Sequence, residues 1–222
     1  MISVEKNFLF VHVPKTGGNS IQTILKNYSE DTIINLAKHH DGVERFEVRN
    51  NKYNIKKHFT LNGYKLVLPP EQFKKMFKFA TIRNPWDRCI SFYFSPSRGV
   101  KEWNRDDFIL FVNKMKPLRH YIKLESFINK VLRKLKMPIN INTGRLDQDI
   151  DFLIRFENLE QDFQIVCQKI GIPHITLPKY NKSERKHYSK YYDQELKEII
   201  EKKFKEEIEL VDYEFKSMSA LS

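Results

Sequence analysis

The run Phe8-Leu9-Phe10-Val11-His12-Val13 passes directly into Pro14-Lys15-Thr16-Gly17-Gly18-Asn19-Ser20, and no other segment constrains the fold as much. So continuous an apolar stretch is expected of a strand buried on both faces. Ile21, Ile24 and Leu25 then recur at helical spacing, so the loop joins a central strand to a helix. Such a loop can hold a tetrahedral anion. Gly17 and Gly18 let backbone amides approach closely, and the helix start adds unpaired N–H groups and the positive end of its dipole. Lys15 adds a mobile cation, and Thr16 and Ser20 add hydroxyl donors. The plain alternative is a tight strand–helix turn carrying a surface lysine.

Two more segments repeat the strand–helix theme. Phe77–Arg83 is a second buried strand ending at Asn84-Pro85, where Asn84 suits a helix cap and Pro85 the first turn of a helix over Trp86–Phe94. Phe152–Phe156 is a third strand, followed by a helix over Leu159–Ile170 that Gly171 and Pro173 end. Further helices are expected over Glu71–Met76, Arg105–Met115 and Leu118–Leu135. A last one, capped by Asp193, has its stripe at Leu196, Ile199, Ile200, Phe204 and Ile208. Residues 37–57 read as a polar loop or small hairpin. The pattern predicts a single domain spanning residues 1–222, a three-layer α/β/α fold with a mainly parallel central sheet. In such sheets ligands bind beyond the carboxyl ends of the strands, so loops 14–20 and 83–91 should face one crevice.

The second loop brings its own chemistry. Arg83, at a strand's carboxyl end, offers a planar fork suited to a dianionic phosphate, and Ser91 follows on the helix. Asp87 and Arg88 read as a structural ion-pair network. Two phosphate sites on adjacent strand ends describe a nucleotide phosphorylated at both ends of its ribose.

Composition limits the partners. A formal net charge of +11, from 39 Lys+Arg against 28 Asp+Glu, favours anionic ligands, although an AT-rich genome that favours lysine also explains part of it. Two cysteines, Cys89 and Cys167, are too few for a disulfide framework and fit a reducing compartment. The first strand begins within a few residues of Met1, which leaves no room for a signal peptide, and no apolar run approaches the ~20 residues of a membrane helix. A cytoplasmic location is expected.

The residues VPKTGGNS resemble the 5′-phosphosulfate loop of sulfotransferases, and RNPWDRCISFYF resembles their 3′-phosphate motif. The match is closest to the carbohydrate-type enzymes of family 2, which include heparan 2-O- and chondroitin/HNK-type sulfotransferases and bacterial relatives. The segments IRFENLEQDFQIVCQKIGI, LPKYNKSERKHYSKYYDQEL and VDYEF also resemble that family's tail, while the region 95–145 has no counterpart. The resemblance implies a P-loop-NTPase-like sulfotransferase fold. It implies transfer of a sulfuryl group from 3′-phosphoadenosine 5′-phosphosulfate (PAPS) to a hydroxyl acceptor, a saccharide by analogy, leaving adenosine 3′,5′-bisphosphate, with no metal required. Lys15, Thr16, Gly17, Gly18, Asn19 and Ser20 would then hold the 5′ end, with Lys15 also stabilising the bridging oxygen. Asn19 stands where many relatives carry threonine or serine. Arg83 and Ser91 would hold the 3′-phosphate. Ser183 and Arg185, in a late basic loop, are further candidates for the 3′-phosphate or adenine, with a solvated charge run as the alternative.

The resemblance also places a histidine base between the two motifs, at His58 in KKHFT. His39 and His40, or no histidine base at all, are the alternatives, and His12 reads as a satisfied core histidine. Two other readings stay open: a Mg²⁺-dependent nucleoside-triphosphatase or small-molecule kinase, and a non-enzymatic basic module that binds polyanions. No recognised RNA- or DNA-binding motif is present, so nucleic acid is not an expected partner, and nothing fixes the oligomeric state.

Overall fold

A computed structural model describes residues 1–35, 46–125, 135, 144–178 and 185–217. The candidates His39, His40 and Ser183 lie outside the described residues. The continuous helix expected over 118–135 is corrected: it ends at Ile122, where Lys123 turns extended (φ −89°, ψ 131°), and residues 126–134 lie outside the described ones.

The central sheet has the order β1-β2-β6-β7. Strand β2 (Phe8–Val11) pairs in parallel with β6 (Phe77–Ile82), which pairs in parallel with β7 (Phe152–Arg155). The short β1 (Ile2–Ser3) runs antiparallel at the β2 edge. Alternation along β2 explains why its sequence shows none. Phe8 and Phe10 face one apolar layer with helices α1 (Gly18–Leu25) and α7 (Leu159–Ile170), while Leu9 and Val11 face a second with α2 (Leu61–Val67), α3 (Pro70–Lys75) and α6 (Leu118–Ile122). All four β2 side chains are fully buried, and each contributes about 1.5–3 kcal/mol by leaving water.

A third apolar cluster joins α4 (Pro85–Tyr93), α5 (Arg105–Lys114) and α8 (Gln194–Lys203) through Trp86, Ile90, Phe108, Val112, Leu196 and Ile200. The expected single last helix is corrected to two. It breaks at Phe204 (φ −112°, ψ 24°) and resumes as α9 (Lys205–Val211). Phe204 stays in the apolar stripe, but beyond the break Glu207, an acid, is the buried residue of α9.

The 37–57 region contains part of a second sheet, β3-β4-β5, formed by Thr32–Asn35, Phe46–Asn50 and Ile55–Lys56 in antiparallel pairing. Ile55 anchors this sheet in the second apolar layer. The chain then turns through Lys57 and His58 into α2, whose N-cap Thr60 accepts from the Gly63 amide at 3.1 Å. Cys89 and Cys167 are separate buried thiols. Among the described residues no helix is long and apolar enough to cross a membrane.

Candidate functional site

The loops after β2 and β6 leave neighbouring parallel strands at the same end of the sheet, as expected, and the loop after β7 lies against them. In the first loop Lys15 and Gly17 both have positive φ, +67° and +84°. That backbone is easy for glycine and strained for lysine. A Cβ on Gly17 would lie 3.0 Å from Phe156, in the turn after β7, and from Leu159, the first residue of α7. A Cβ on Gly18 would lie 2.2 Å from the His12 ring. Helix α1 starts without a side-chain cap. Among the described residues the amides of Gly17, Gly18 and Asn19 meet no backbone acceptor, so these donors remain available to an anion.

Ser20 is buried on the first turn, its amide donating to Gly17 O at 3.1 Å, and Asn19 is half-buried. Thr16 departs from the expectation of a crevice-facing hydroxyl. It is fully buried, donates to Val13 O at 2.7 Å and shares a hydrogen bond with the Thr81 hydroxyl. Its backbone amide is what it can offer an anion.

The second loop forms because Asn84 caps α4, its side chain accepting from the Trp86 and Asp87 amides, with Pro85 behind it. This cap directs Arg83 toward the first loop. Its Nη1 donates to Lys15 O at 3.0 Å and to Ser91 Oγ at 3.3 Å, while Nε and Nη2 donate to Asp87 at 2.8 and 2.5 Å. The Phe156 ring lies 3.8 Å under the guanidinium. Asp87 also pairs with Arg185, whose side chain is only 10 % exposed. The late basic segment therefore contributes a packed cation here, not a solvated one.

Asp87 and Arg88 belong to separate networks. Arg88 is buried, pairs with Glu207 at 3.2 Å, and donates to Pro14 O at 3.3 Å and Lys116 O at 3.1 Å.

These cations depress one another. Burial, then Arg83 and Arg185, lowers the Lys15 pKa to about 8, so that it is still about nine-tenths protonated at pH 7. Burial also lowers Arg83, although Asp87 opposes the shift. Burial raises the Asp87 carboxyl, but Arg83 and Arg185 outweigh it and leave its pKa below the usual value.

The histidines form a second focus beside the first loop. The His58 Nδ1 lies 3.1 Å from His12 O, and the two rings are 4.5 Å apart. His58 keeps part of its surface open to solvent, but desolvation by the surrounding protein lowers its pKa to about 4, the His12 carbonyl opposing and Lys57 adding to the shift. His12 is buried, as expected of a core residue, but not satisfied. Among the described residues its Nδ1 and both amide atoms of buried Gln22 meet no partner at hydrogen-bond geometry, although the Gln22 side chain lies close enough to raise the His12 pKa slightly against the larger lowering effects. Burial, then His58 and Lys57, hold its pKa well below the usual value.

Sequence reasoning missed Lys57. Its Nζ sits 3.8 Å over the Phe46 ring and donates to Phe46 O at 3.1 Å. Burial and the charge of Lys15 lower its pKa to about 8, so Lys57 belongs electrostatically to the same site. In a chain this basic, the pair Lys56-Lys57 looked like surface. Of the remaining histidines, His174 pairs with Glu160 at 3.0 Å and His187 caps a short helical turn, both in other surroundings.

Uncapped amides, a strained lysine and a guanidinium cluster thus gather at the carboxyl edge of a parallel sheet. The family model described as the sulfotransferase family matches residues 1–214. The chain belongs to the sulfotransferase family, in its family 2 division. No curated protein and no solved structure matches it.

Proposed function

We propose that this sulfotransferase uses PAPS as donor and a hydroxyl, most simply a saccharide's, as acceptor, with His58 as the base. The observation that carries the reading is the direct Arg83–Lys15 carbonyl bond, which joins two anion-binding loops one strand apart. In this reading the 5′-phosphosulfate meets Lys15 and the amides of Thr16, Gly17, Gly18 and Asn19, with Ser20 behind them. The 3′-phosphate meets Arg83, Ser91, Arg185 and Ser183. The same loop supports reading the fold as P-loop-like.

The fit is electrostatic. Lys15, Lys57, Arg83 and Arg185 offset by Asp87 and Glu157 leave a cluster of net charge about +2, which suits a polyanion that carries no metal. As the acceptor oxygen attacks sulfur in line, His58 Nε2 takes the hydroxyl proton. The S–O bond to the donor's bridging oxygen breaks, and its electron pair stays on that oxygen, where Lys15 stabilises the growing charge. The product is adenosine 3′,5′-bisphosphate.

The test is nucleotide selectivity without magnesium. Adenosine 3′,5′-bisphosphate should raise the melting temperature well above the shift given by AMP, and labelled sulfate should pass from PAPS to a glycan acceptor. Equal shifts from both nucleotides would remove the 3′-phosphate assignment.

A further inference from the structure

Lys15 must hold a left-handed backbone that lysine disfavours, and two arginines five residues apart grip the carbonyls around it. Arg88 Nε donates to Pro14 O at 3.3 Å, and Arg83 Nη1 donates to Lys15 O at 3.0 Å. Arg83 lies among the groups assigned to the ligand. Arg88 does not: its side chain and that of its partner Glu207 are each 2 % exposed. Glu207 also accepts from the Leu118 amide at 2.6 Å, and Arg88 from its other side donates to Lys116 O at 3.1 Å.

Removing both members of such a pair from water is costly, and apolar residues of similar size often serve stability as well or better. Stability alone therefore does not account for a charged fork aimed at the carbonyl next to Lys15. We propose that Arg88, held by Glu207, is a positioning residue that fixes the Pro14-Lys15 turn so that the Lys15 ammonium meets the bridging oxygen as the S–O bond breaks.

This rests on the donor assignment above and goes beyond it, since Arg88 touches no ligand. A mobile ammonium still finds a ground-state phosphate, whereas the transition state needs it at one atom. Loss of the grip should therefore appear in kcat more than in KM.

The test compares two variants with the wild type. Arg88→Lys keeps a charge for Glu207 but cannot also fork to Pro14 O and Lys116 O. The double variant Arg88→Met/Glu207→Met removes both charges and keeps the volume, which preserves a folded protein should the single variant fail to fold. Each folded variant is expected to lose at least about tenfold in kcat with donor KM changed less than about threefold.

A second readout does not need turnover. Labelling of Lys15 by an amine-reactive succinimidyl ester at pH 8, mapped by mass spectrometry, should slow at least about threefold as the ammonium leaves its buried place beside Arg83 and Arg185 and regains an ordinary pKa. A folded variant with wild-type kcat, or one whose kcat falls while Lys15 labelling is unchanged, overturns the proposal. If the wild type itself transfers nothing from PAPS, the donor assignment fails, and unchanged labelling still overturns the positioning role on its own.

Discussion

The Nδ1 of His58 lies 3.1 Å from the backbone carbonyl oxygen of His12, at the end of the strand that carries the anion loop. A carbonyl only accepts, so Nδ1 carries the ring proton and Nε2 presents a lone pair. The same contact orients the ring with respect to Lys15, because His12 lies three residues before it. His58→Ala is expected to lower transfer about 10²–10⁴-fold while leaving the affinity for adenosine 3′,5′-bisphosphate within about threefold. Isothermal titration and single-turnover kinetics separate the two, and a variant with the wild-type rate would move the base elsewhere.

The pH dependence has a definite sign. His58 must be neutral and its pKa is about 4, whereas Lys15 must be charged and its pKa is about 8. The profile of kcat/KM should be level between these values and fall toward alkali above about 8. Bound anion favours the charged lysine, so the alkaline limb of kcat should lie higher than that of kcat/KM, and binding near pH 8.5 (about half a unit above the free value) should take up a proton. Titration calorimetry in buffers of different ionisation enthalpy measures this directly; proton release would contradict it.

Gly18 and His12 share one space. A Cβ at position 18 would meet the imidazole at 2.2 Å, so Gly18→Ala should destabilise by about 1–3 kcal/mol. Adding His12→Ser should recover part of that, with a non-additivity of at least about 1 kcal/mol in urea unfolding. Strictly additive losses would show that the ring moves aside without cost.

Arg185 and AMP provide the test of the 3′ end. Truncation to alanine removes a cation that pairs with Asp87 beside Arg83. Affinity for adenosine 3′,5′-bisphosphate should fall about 10–100-fold, the scale of a charge-assisted hydrogen bond, and affinity for AMP should change less than about twofold. A parallel loss for both nucleotides would assign Arg185 to the 5′ end or to general folding.

Where chemistry is local, the sequence was a good guide. The apolar continuity of Phe8–Val11 marked a strand with two covered faces, and Asn84-Pro85 marked a helix start that the side-chain cap supplies. The edge strand Ile2–Ser3 was missed because two residues carry no periodicity, and Thr32–Asn35 because it is half-exposed. Within the site, Lys15, Gly17 and Arg83 do meet, but the partners that shape them come from far along the chain. Arg185 reaches Asp87 across 98 positions, and Phe156 underlies both Gly17 and Arg83. Thr16 turned inward because Thr81 on the neighbouring strand offers its hydroxyl a partner. Nothing in the sequence separates Glu207 from the other acids of its helix, and the break at Phe204 that comes before its burial has no glycine or proline to announce it.

The span between Arg88 and Glu207, 119 positions, has a consequence for biosynthesis. Translation makes Pro14-Lys15 before Arg88 and both before Glu207, so the turn leaves the ribosome ahead of the carboxylate that anchors its arginine. The turn is therefore held by Arg88 only after a carboxylate 119 positions further along has been made, which ties its final shape to completion of the Lys205–Val211 helix.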